Sequence, residues 1–502
     1  MRGDEIFRML IFGSLACIIA WDIYSRFDAE IGKEREGRSL LQQRYIPVIP
    51  GALLPFALLL ITVLSICLAG PVMTFRLLLP LFSTLFLQST LYYALLLPVM
   101  PFLRKRISAR TCAVLWLLPT YLYYLFNSAM ELSAPRWVIH LPGKTIWILL
   151  GIWFVGFVAV MVWKITEHLA FRRSILRGAR EVYDPVIRGI LETEIEGARI
   201  KRPEFKLVIS PHVRTPVTVG LYKRAIRLVL PEKDYAPEEL KLVLRHEIIH
   251  IAREDAWAKF FMVFCTALCW FNPLMWIAMR RRAEDIELSC DETVLLEAND
   301  KVRKQYGILL LETAANERGF TTCLSASAQA MRYRLTNIIK PQKRRSGAIL
   351  VGVLLFILCM TGGYTALAYG SIEGTEAIYG GQDPAVCTFQ TIEKEEGRDD
   401  PAYIAIDPMA LHQYLAGLEL AEISGNYAFG DTSMMRAYYG LGKPRTEYAL
   451  FIDTPEGGVE VVLQDSYVKV AEKRELHTYY VPEGMDWELV LRTIEPIPWY
   501  KN

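Results

Sequence analysis

Six long apolar runs constrain this sequence more than any other feature. Each is close to the roughly 20 residues that a helix needs to cross a bilayer. The runs are 6–24, 50–72, 77–100, 111–130, 145–163 and 347–369. The first is also compatible with a signal anchor or an interfacial helix, because Arg8 and Asp22 lie within it. Since hydrophobic residues make up 53% of the chain and charged residues 22%, we expect a protein that is part membrane and part globular.

Basic residues in the short loops predict the orientation of these spans. Clusters of lysine and arginine lie in residues 104–110, 172–177 and 340–345. The positive-inside rule places all three clusters in the cytoplasm. Six spans then put residues 170–346 inside the cell and both termini outside. The net charge of +2 gives no global signature of a nucleic-acid partner.

The segment RHEIIHIARED, residues 245–255, carries the clearest chemical signal. FKLVIS and AIRLVL before it are predicted strands, and DYAPEEL begins a helix, with Pro237 and acidic residues in the first turn. On that helix His246 and His250 are one turn apart, so two imidazole nitrogens can converge on one metal ion. Glu247 lies beside them, where it can position a water molecule. The alternative is a pair of surface histidines on a polar helix face.

A third ligand is expected in RRRAEDIELSCDETVLL, which begins at residue 280. Its donor side chains are Glu284, Glu287, Cys290 and Asp291. A catalytic zinc site takes three protein ligands and leaves one position open. Glu287 and Asp291 are one turn apart, so Glu287 can ligate while Asp291 accepts a hydrogen bond from a ligand histidine and fixes its tautomer. Glu284 is the rival ligand, and a solvated helix face of mixed charge is the alternative to any site.

The apolar segment WAKFFMVFCTALCWFNPLMWIAM, residues 257–279, is long enough to span but separates the expected ligands. A crossing would put His250 and Glu287 on opposite sides of a hydrocarbon layer roughly 30 Å thick, whereas ligands must meet within about 2 Å of one ion. The dipeptide Asn272-Pro273 breaks the helix. We therefore predict a bent, membrane-seated hairpin that holds the zinc site at the cytoplasmic face.

Three segments in this order resemble a known family: ELKLVLRHEIIHIARED, CWFNPLMWIAMRRRAEDIELSCDETVL and MRYRLTNIIKPQKRR. They are similar to the BlaR/MecR-type membrane zinc metallopeptidases, antirepressor receptor peptidases, over roughly residues 77–340. The resemblance implies a gluzincin-like zinc domain. On this sequence it implies the ligands His246, His250 and Glu287, the general base Glu247 and the supporting residue Asp291.

The C-terminal segment departs from that family. SYVK, residues 466–469, matches a Ser-x-x-Lys motif literally, but VVLQDSYVKVAEK alternates like a strand, whereas the catalytic serine of a penicillin-binding domain opens a helix. We therefore expect no penicillin-binding sensor domain. The segment is predicted to be a small α+β domain with a hairpin around residues 455–458, acting as a sensor, a docking module or a cap without a ligand. His412 and His477 are expected at its surface.

The predicted architecture is a multi-span α-helical membrane protein with a cytoplasmic α+β gluzincin-like zinc peptidase domain and a small C-terminal extracytoplasmic α+β domain. Its segments are 1–76, extra membrane segments of unassigned role; 77–169, membrane helices of the peptidase core; 170–346, the cytoplasmic zinc domain with the hairpin 257–279; 347–369, the last transmembrane helix; and 370–502, the extracytoplasmic sensor domain.

The leading hypothesis is a signal-responsive membrane zinc endopeptidase, in which an external event acts through the last span. Its substrates would be a cytoplasmic protein, which the resemblance implies is a DNA-binding transcriptional repressor, and the chain itself, cut within residues 316–330. The alternatives are a constitutive membrane quality-control zinc peptidase and a non-catalytic receptor with structural zinc. The other expected partners are membrane lipids and an extracytoplasmic ligand or protein. No direct nucleic-acid partner is expected, and a homodimer is left open.

Overall fold

The fold is described from a computed structural model of the chain. The residues that it describes are 3–31, 53–120, 135, 137–198, 200, 204–296, 298–315, 328–340, 344–362, 365–394, 402–424, 448–472 and 475–496. Most of the segment 316–330, which we predict to contain a self-cleavage site, lies outside these residues.

Helices and strands occupy distinct parts of the chain. The helices are α1 (Gly3–Ile31), α2 (Leu53–Leu103), α3 (Ala109–Leu115), α4 (Thr145–Leu176), α5 (Pro185–Gly197), α6 (Pro237–Ala252), α7 (Asp255–Leu268), α8 (Pro273–Val294), α9 (Asp300–Ala315), α10 (Ala328–Ile339), α11 (Ala348–Thr361), α12 (Gly374–Tyr379), α13 (Pro408–Ala416) and α14 (Trp487–Arg492). The strands are β1 (Trp137–Leu141), β2 (Arg180–Glu181), β3 (Lys206–Ser210), β4 (Val217–Val219), β5 (Arg227–Pro231), β6 (Thr365–Glu373), β7 (Thr388–Lys394), β8 (Ala402–Ala405), β9 (Glu419–Ile423), β10 (Tyr448–Thr454), β11 (Gly457–Gln464), β12 (Tyr467–Glu472), β13 (Glu475–Tyr480) and β14 (Ile494–Pro496).

Three helical segments in the described part of the chain are long and apolar enough to cross a membrane: Pro55–Val72, Leu78–Leu103 and Thr145–Leu176. The first two belong to α2, which is interrupted at Gly70, where φ is 83° and a proline follows. Shorter apolar helices cover Met9–Ser25 and Ala348–Thr361. The arrangement of six spans therefore stays a prediction.

Two of the predicted spans differ from the helices that the structure contains. In the run 111–130, α3 ends at Leu115, and residues 121–134 lie outside the described part. The prediction of one helix over 347–369 was wrong at its C-terminal end, because α11 ends at Thr361 and the chain is a strand from Thr365. The sequence has a glycine pair at 362–363, which favours a helix end at this point.

The predicted hairpin is present as two helices, α7 and α8, that turn at Asn272 and Pro273. The Asn272 side chain begins α8, since its Oδ1 accepts the Leu274 N–H at 3.0 Å, and its amide donates to Thr90 Oγ1 of α2 at 2.8 Å. Apolar side chains of α7 and α8 share one core with α1, α2, α3 and α11. The hairpin is therefore packed among the apolar helices. Its second helix, α8, extends from that core to the globular domain.

Helix α4 fits against the hairpin at a glycine. A side chain at Gly156 would overlap the indole of Trp270, which lies in the turn of the hairpin. Overpacking of this kind costs about 1–3 kcal/mol.

We expect Gly156→Ala to lower the melting temperature of the detergent-solubilised protein. Gly151→Ala is the matched control on the same helix, because no atom lies within 4 Å of its added methyl group; equal melting of the two variants would contradict this packing.

The globular domain before the hairpin is built on a small sheet with the strand order β2-β3-β5-β4 in the described residues. The predicted strands FKLVIS and AIRLVL are confirmed as β3 and β5, which pair in parallel. Strand β4 pairs with β5 on one side and lies at the edge of the sheet. Helix α6 follows β5 and begins at Pro237, as predicted. Leu240, Leu244 and Ile248 of α6 pack against this sheet and α5 in one core.

The C-terminal domain contains a ten-stranded sheet in the described part of the chain, with the order β1-β6-β9-β13-β12-β11-β10-β7-β8-β14. The predicted hairpin around residues 455–458 is confirmed as β10 and β11. The SYVK segment leads into strand β12, as its alternation predicts. His412 is not at the surface as we expected. It is 3% exposed, because the Phe389 ring stacks on it and the Tyr379 hydroxyl contacts its Nδ1 at 2.8 Å.

One strand of this sheet comes from a distant part of the sequence. Strand β1, immediately before α4, pairs in parallel with β6, which follows α11. In addition, the Tyr467 hydroxyl donates to the Pro135 carbonyl at 3.1 Å. The C-terminal domain is therefore larger than the segment 370–502, and it contacts the ends of both α4 and α11.

Candidate metal centre

The two motif histidines face each other on α6. The helix begins with Glu238 and Glu239 in its first turn, and the Glu239 carboxylate accepts the Ala236 N–H at 3.3 Å. One turn apart near the end of this helix, His246 and His250 bring their Nε2 atoms to 3.0 Å from each other. The first requirement of the motif, two imidazole nitrogens at one point, is thus met by local helix geometry.

Glu287 of α8 brings a carboxylate to the same point. Its Oε2 lies 3.5 Å from His246 Nε2 and 3.6 Å from His250 Nε2. Zinc bonds of about 2.05 Å in a tetrahedral arrangement separate neighbouring ligand atoms by about 3.3 Å. The donor triangle of the two imidazoles and the carboxylate therefore has the dimensions that a zinc ion requires, and the residues present fit such an ion.

Cys290 is a further donor at this point. Its side chain is fully buried, and its sulfur, with nitrogens of His246 and His250, forms a group of ligand atoms that all lie within 4.8 Å of one another. The thiol also approaches the His246 carbonyl at 3.5 Å. From the sequence we noted Cys290 as a donor without giving it a role. The structure thus brings two side chains of α8 to the histidines.

The rival ligand Glu284 lies in a different environment. Its carboxylate contacts Arg281 at 2.9 Å and Arg104 at 3.4 Å. Both arginines hold Glu284 in ion pairs near the apolar helices. These contacts favour Glu287 over Glu284 as the carboxylate ligand.

Asp255 fixes the orientation of His250. Its Oδ2 accepts a hydrogen bond from His250 Nδ1 at 2.6 Å, which leaves the lone pair of Nε2 directed at the donor cluster. The chain reaches this position because Glu254, between α6 and α7, adopts a left-handed conformation with φ 58°. Asp255 therefore has for His250 the supporting role that we predicted for Asp291.

Tyr306 and Asp291 fix the orientation of His246. The Tyr306 hydroxyl donates to Asp291 Oδ1 at 2.7 Å, so its oxygen must accept the N–H of His246 Nδ1, 2.9 Å away. Asp291 itself lies 3.5 Å from Nδ1, with Tyr306 in the closer position. Arg334 forms a double hydrogen bond to the Asp291 carboxylate, with both distances at 2.7 Å. Asp291 thus reaches the histidine mainly through Tyr306.

Glu247 lies next to this cluster and is 7% exposed. Its Oε2 accepts a hydrogen bond from Thr218 Oγ1 at 2.7 Å. Thr218 belongs to the edge strand β4, so the motif glutamate is tied to the sheet edge rather than to the histidines. This contact holds the carboxylate in one orientation.

The charges of the cluster shift the pKa values of its members. Burial lowers the pKa of His246, but Cys290 and Glu287 outweigh it and raise that pKa to about 10. Burial opposes ionisation of Glu287, yet His250 and Lys259 hold its pKa well below the usual range. Burial raises the pKa of the Cys290 thiol, and the two histidines more than compensate, lowering it to about 7. Because metal ligands bind in their deprotonated forms, protons compete with a metal ion for these side chains.

Comparison with known proteins identifies the family that part of this chain resembles. Residues 127–338 match the family model described as BlaR1 peptidase M56, a region that begins after α3 and ends within α10. This region of the chain is similar to the BlaR/MecR-type family. The region 127–338 contains His246, His250, Glu287 and Glu247, and it excludes most of the C-terminal sheet.

Two relatives illustrate the likeness. Regulatory protein BlaR1 of Bacillus licheniformis is 25% identical over 229 residues, which are 43% of this chain and 38% of that protein. Methicillin resistance mecR1 protein of Staphylococcus aureus is 28% identical over 106 residues, 20% of this chain and 18% of that protein. The matched part thus covers well under half of either relative.

Sequence reasoning missed four residues that contact the motif side chains: Thr218, Asp255, Tyr306 and Arg334. Asp255 had a signal, because it closes the quoted segment RHEIIHIARED five residues after His250. Thr218 lies between the two predicted strands FKLVIS and AIRLVL, and no pattern pointed to its contact with Glu247. Tyr306 and Arg334 come from α9 and α10, for which the sequence analysis assigned no function.

Proposed function

We propose that this chain is a signal-responsive integral membrane zinc endopeptidase that cleaves a cytoplasmic protein. The observation that carries the proposal is the convergence of His246, His250 and Glu287, with Glu247 directly after His246 on α6. Both histidines have their Nδ1 atoms engaged by partners, as metal-ligating histidines require. The family is one of peptidases, which supports hydrolysis of a peptide bond at this cluster.

The residues of the chain have distinct roles in the proposed reaction. A zinc ion, when bound, lowers the pKa of a water molecule and polarises the scissile carbonyl. Glu247 takes the proton of the attacking water on its carboxylate and passes it to the leaving amine. Thr218 orients that carboxylate through its 2.7 Å hydrogen bond. Asp255 and Tyr306 keep the two imidazoles in the tautomer that ligates through Nε2.

The edge of the small sheet supports binding of an extended peptide. Strand β4 pairs with β5 along one side, and no other strand of the described residues pairs with its second side. A peptide can add to such an edge through main-chain hydrogen bonds. Because Thr218 of β4 contacts Glu247, a peptide on this edge would lie beside the general base. This is the arrangement that an endopeptidase needs.

The connection of the C-terminal domain supports a response to a signal. Strands β1 and β6 pair; β1 leads into α4, and β6 follows α11. The C-terminal end of α4 contacts the small sheet that contains β3, where the Ser210 hydroxyl donates to the Ile175 carbonyl at 2.5 Å. A change in the C-terminal domain would thus reach the metal centre through α4 as well as through the last span. We place this domain outside the cell and the metal centre in the cytoplasm.

The resemblance to the BlaR/MecR-type family supports a repressor as substrate, and the names of two relatives describe regulation and methicillin resistance. We propose a DNA-binding repressor as the cytoplasmic substrate and the chain itself as a second substrate. The polar segment 316–330 follows α9 and includes the first residues of α10, and these two helices supply Tyr306 and Arg334 to the site. A cut there would act on the elements that support the metal ligands.

A non-catalytic receptor with structural zinc is the second candidate. Cys290 favours it, because a fourth protein donor would close the tetrahedral site to water. Glu247 argues against it, since a structural site has no use for a carboxylate oriented beside the ligands.

Replacement of Glu247 tests the proposal against the structural alternative. Cells carrying the wild-type chain, tagged at both ends, are compared with cells carrying Glu247→Gln. We expect self-fragments and new protein N-termini only in the wild-type cells, because loss of a general base slows hydrolysis by about 100- to 10,000-fold. Zinc content of the two purified proteins should be equal. Identical fragments and termini in both cell lines under every stimulus, with zinc bound, would favour the receptor.

A further inference from the structure

Cys290 is the one donor of the cluster that the proposed reaction does not use. It is fully buried and lies three residues after Glu287 on α8. Its sulfur belongs with nitrogens of His246 and His250 to a group of ligand atoms within 4.8 Å of one another. The Glu287 carboxylate lies 3.5 and 3.6 Å from Nε2 of the same two histidines, so α8 offers them two donor side chains. Zinc prefers four ligands.

We infer that Cys290 ligates the metal ion in the resting protein and closes the site, so that the peptidase is latent until α8 moves. This inference rests on the proposed function and adds its regulation. Ligation breaks the Sγ–H bond, forms an Sγ–metal bond and releases the proton to solvent. The thiolate then fills the position that water needs, and a closed four-donor site is inactive.

The geometry of α8 allows a change between the latent state, in which Cys290 ligates the metal ion, and an active state, in which it does not. Residues three apart on a helix are about 60° apart around its axis and about 4.5 Å apart along it. Glu287 and Cys290 therefore face the histidines from neighbouring positions of α8. A small rotation of α8 relative to α6 would withdraw the sulfur while the longer glutamate side chain keeps its contact.

The apolar helices control the position of α8. Asp285, five residues before Cys290, is fully buried and accepts hydrogen bonds from Arg104 at 3.0 Å and from Trp116 Nε1 at 2.8 Å. Arg104 lies just after α2, and Trp116 follows α3. A shift of these helices would therefore be transmitted to α8 one and a half turns from the cysteine.

X-ray absorption at the zinc edge tests the inference on the full-length chain purified in detergent without a stimulus. We expect one sulfur per zinc at about 2.3 Å, beside nitrogen and oxygen ligands. Cys290→Ser should lose the sulfur contribution and retain zinc. Cys265→Ser is the matched control, since Cys265 is equally buried but lies in α7, outside the donor group. Its spectrum should keep the sulfur.

The wild-type spectrum alone can overturn the inference, whether or not the variants fold: zinc bound without sulfur excludes Cys290 as a resting ligand. Sulfur that persists in Cys290→Ser would overturn it as well. In cells, Cys290→Ser should form self-fragments without a stimulus, several-fold above wild type, and an unchanged level would rule out latency. A third outcome is possible: the spectrum shows sulfur bound to zinc, but no fragments that depend on Glu247 form under any stimulus. This outcome would reject the proposed function and would still support a closed site with Cys290 as a ligand.

Discussion

Glu287→Ala should lose its zinc, whereas Glu284→Ala should keep it. Glu287 Oε2 is 3.5 and 3.6 Å from the two imidazole nitrogens, and Glu284 is engaged by Arg281 and Arg104 instead. Loss of a contact that merely supports a ligand weakens metal binding about 10- to 100-fold, so removal of a ligand should exceed that range. The measurement is zinc content and affinity of the purified proteins, with formation of self-fragments as a second readout.

The comparison of these two variants also shows which side chain of α8, Glu287, Glu284 or Cys290, is the third ligand. Both substitutions remove one carboxylate from the same helix, so a general effect of charge or helix stability should appear in both. Full zinc occupancy and unchanged affinity in Glu287→Ala would show that Cys290 is the third ligand. Loss of zinc in Glu284→Ala alone would reverse the assignment of the two glutamates.

Arg334→Met should destabilise the metal centre more than any substitution of a surface arginine. Its guanidinium holds the buried Asp291 carboxylate through two hydrogen bonds of 2.7 Å, and the two side chains are 11% and 1% exposed. Removal of one partner of a buried ion pair costs about 3–5 kcal/mol, because the other charge is left without compensation. At roughly 2–4 °C per kcal/mol, the melting temperature should fall by about 10 °C.

Arg332→Met is the matched control for this substitution. Arg332 lies on the same helix, α10, and is exposed. Its replacement should change the melting temperature by no more than a degree or two, since exposed substitutions usually stay within about 0.5 kcal/mol. Because Asp291 orients His246 through Tyr306, Arg334→Met should also lower zinc affinity about 10- to 100-fold. A variant that melts and binds zinc like the wild type would exclude this support for the ligand.

Much of the local structure could be predicted because it depends on neighbours in the chain. The spacing of His246 and His250 required only a helix, and Pro237 with the acidic first turn placed the start of that helix. Asn272 and Pro273 divided the apolar segment into α7 and α8 as predicted, for the same reason. The end of the last apolar helix was misplaced, since an apolar composition continues from α11 into β6 and does not by itself distinguish a helix from a buried strand.

The partners of the metal-centre residues could not be predicted in this way. Thr218, Tyr306 and Arg334 lie on three separate elements, and each reaches its contact only because those elements pack around α6 and α8. The prediction that His412 lies at the surface was wrong because its burial also depends on tertiary contacts, which it makes with Phe389 and Tyr379.

The sequence by itself determined the helical motif, the chemistry of its donors and the need for the hairpin between the ligands, because each follows from residue types at short spacing and from the thickness of a bilayer. Only the tertiary structure decided that Cys290 joins the donor group, that Tyr306 stands between Asp291 and His246, and that β1 enters the C-terminal sheet. These contacts join residues far apart in the chain. Side-chain packing selects such contacts from many pairings that local patterns allow equally well.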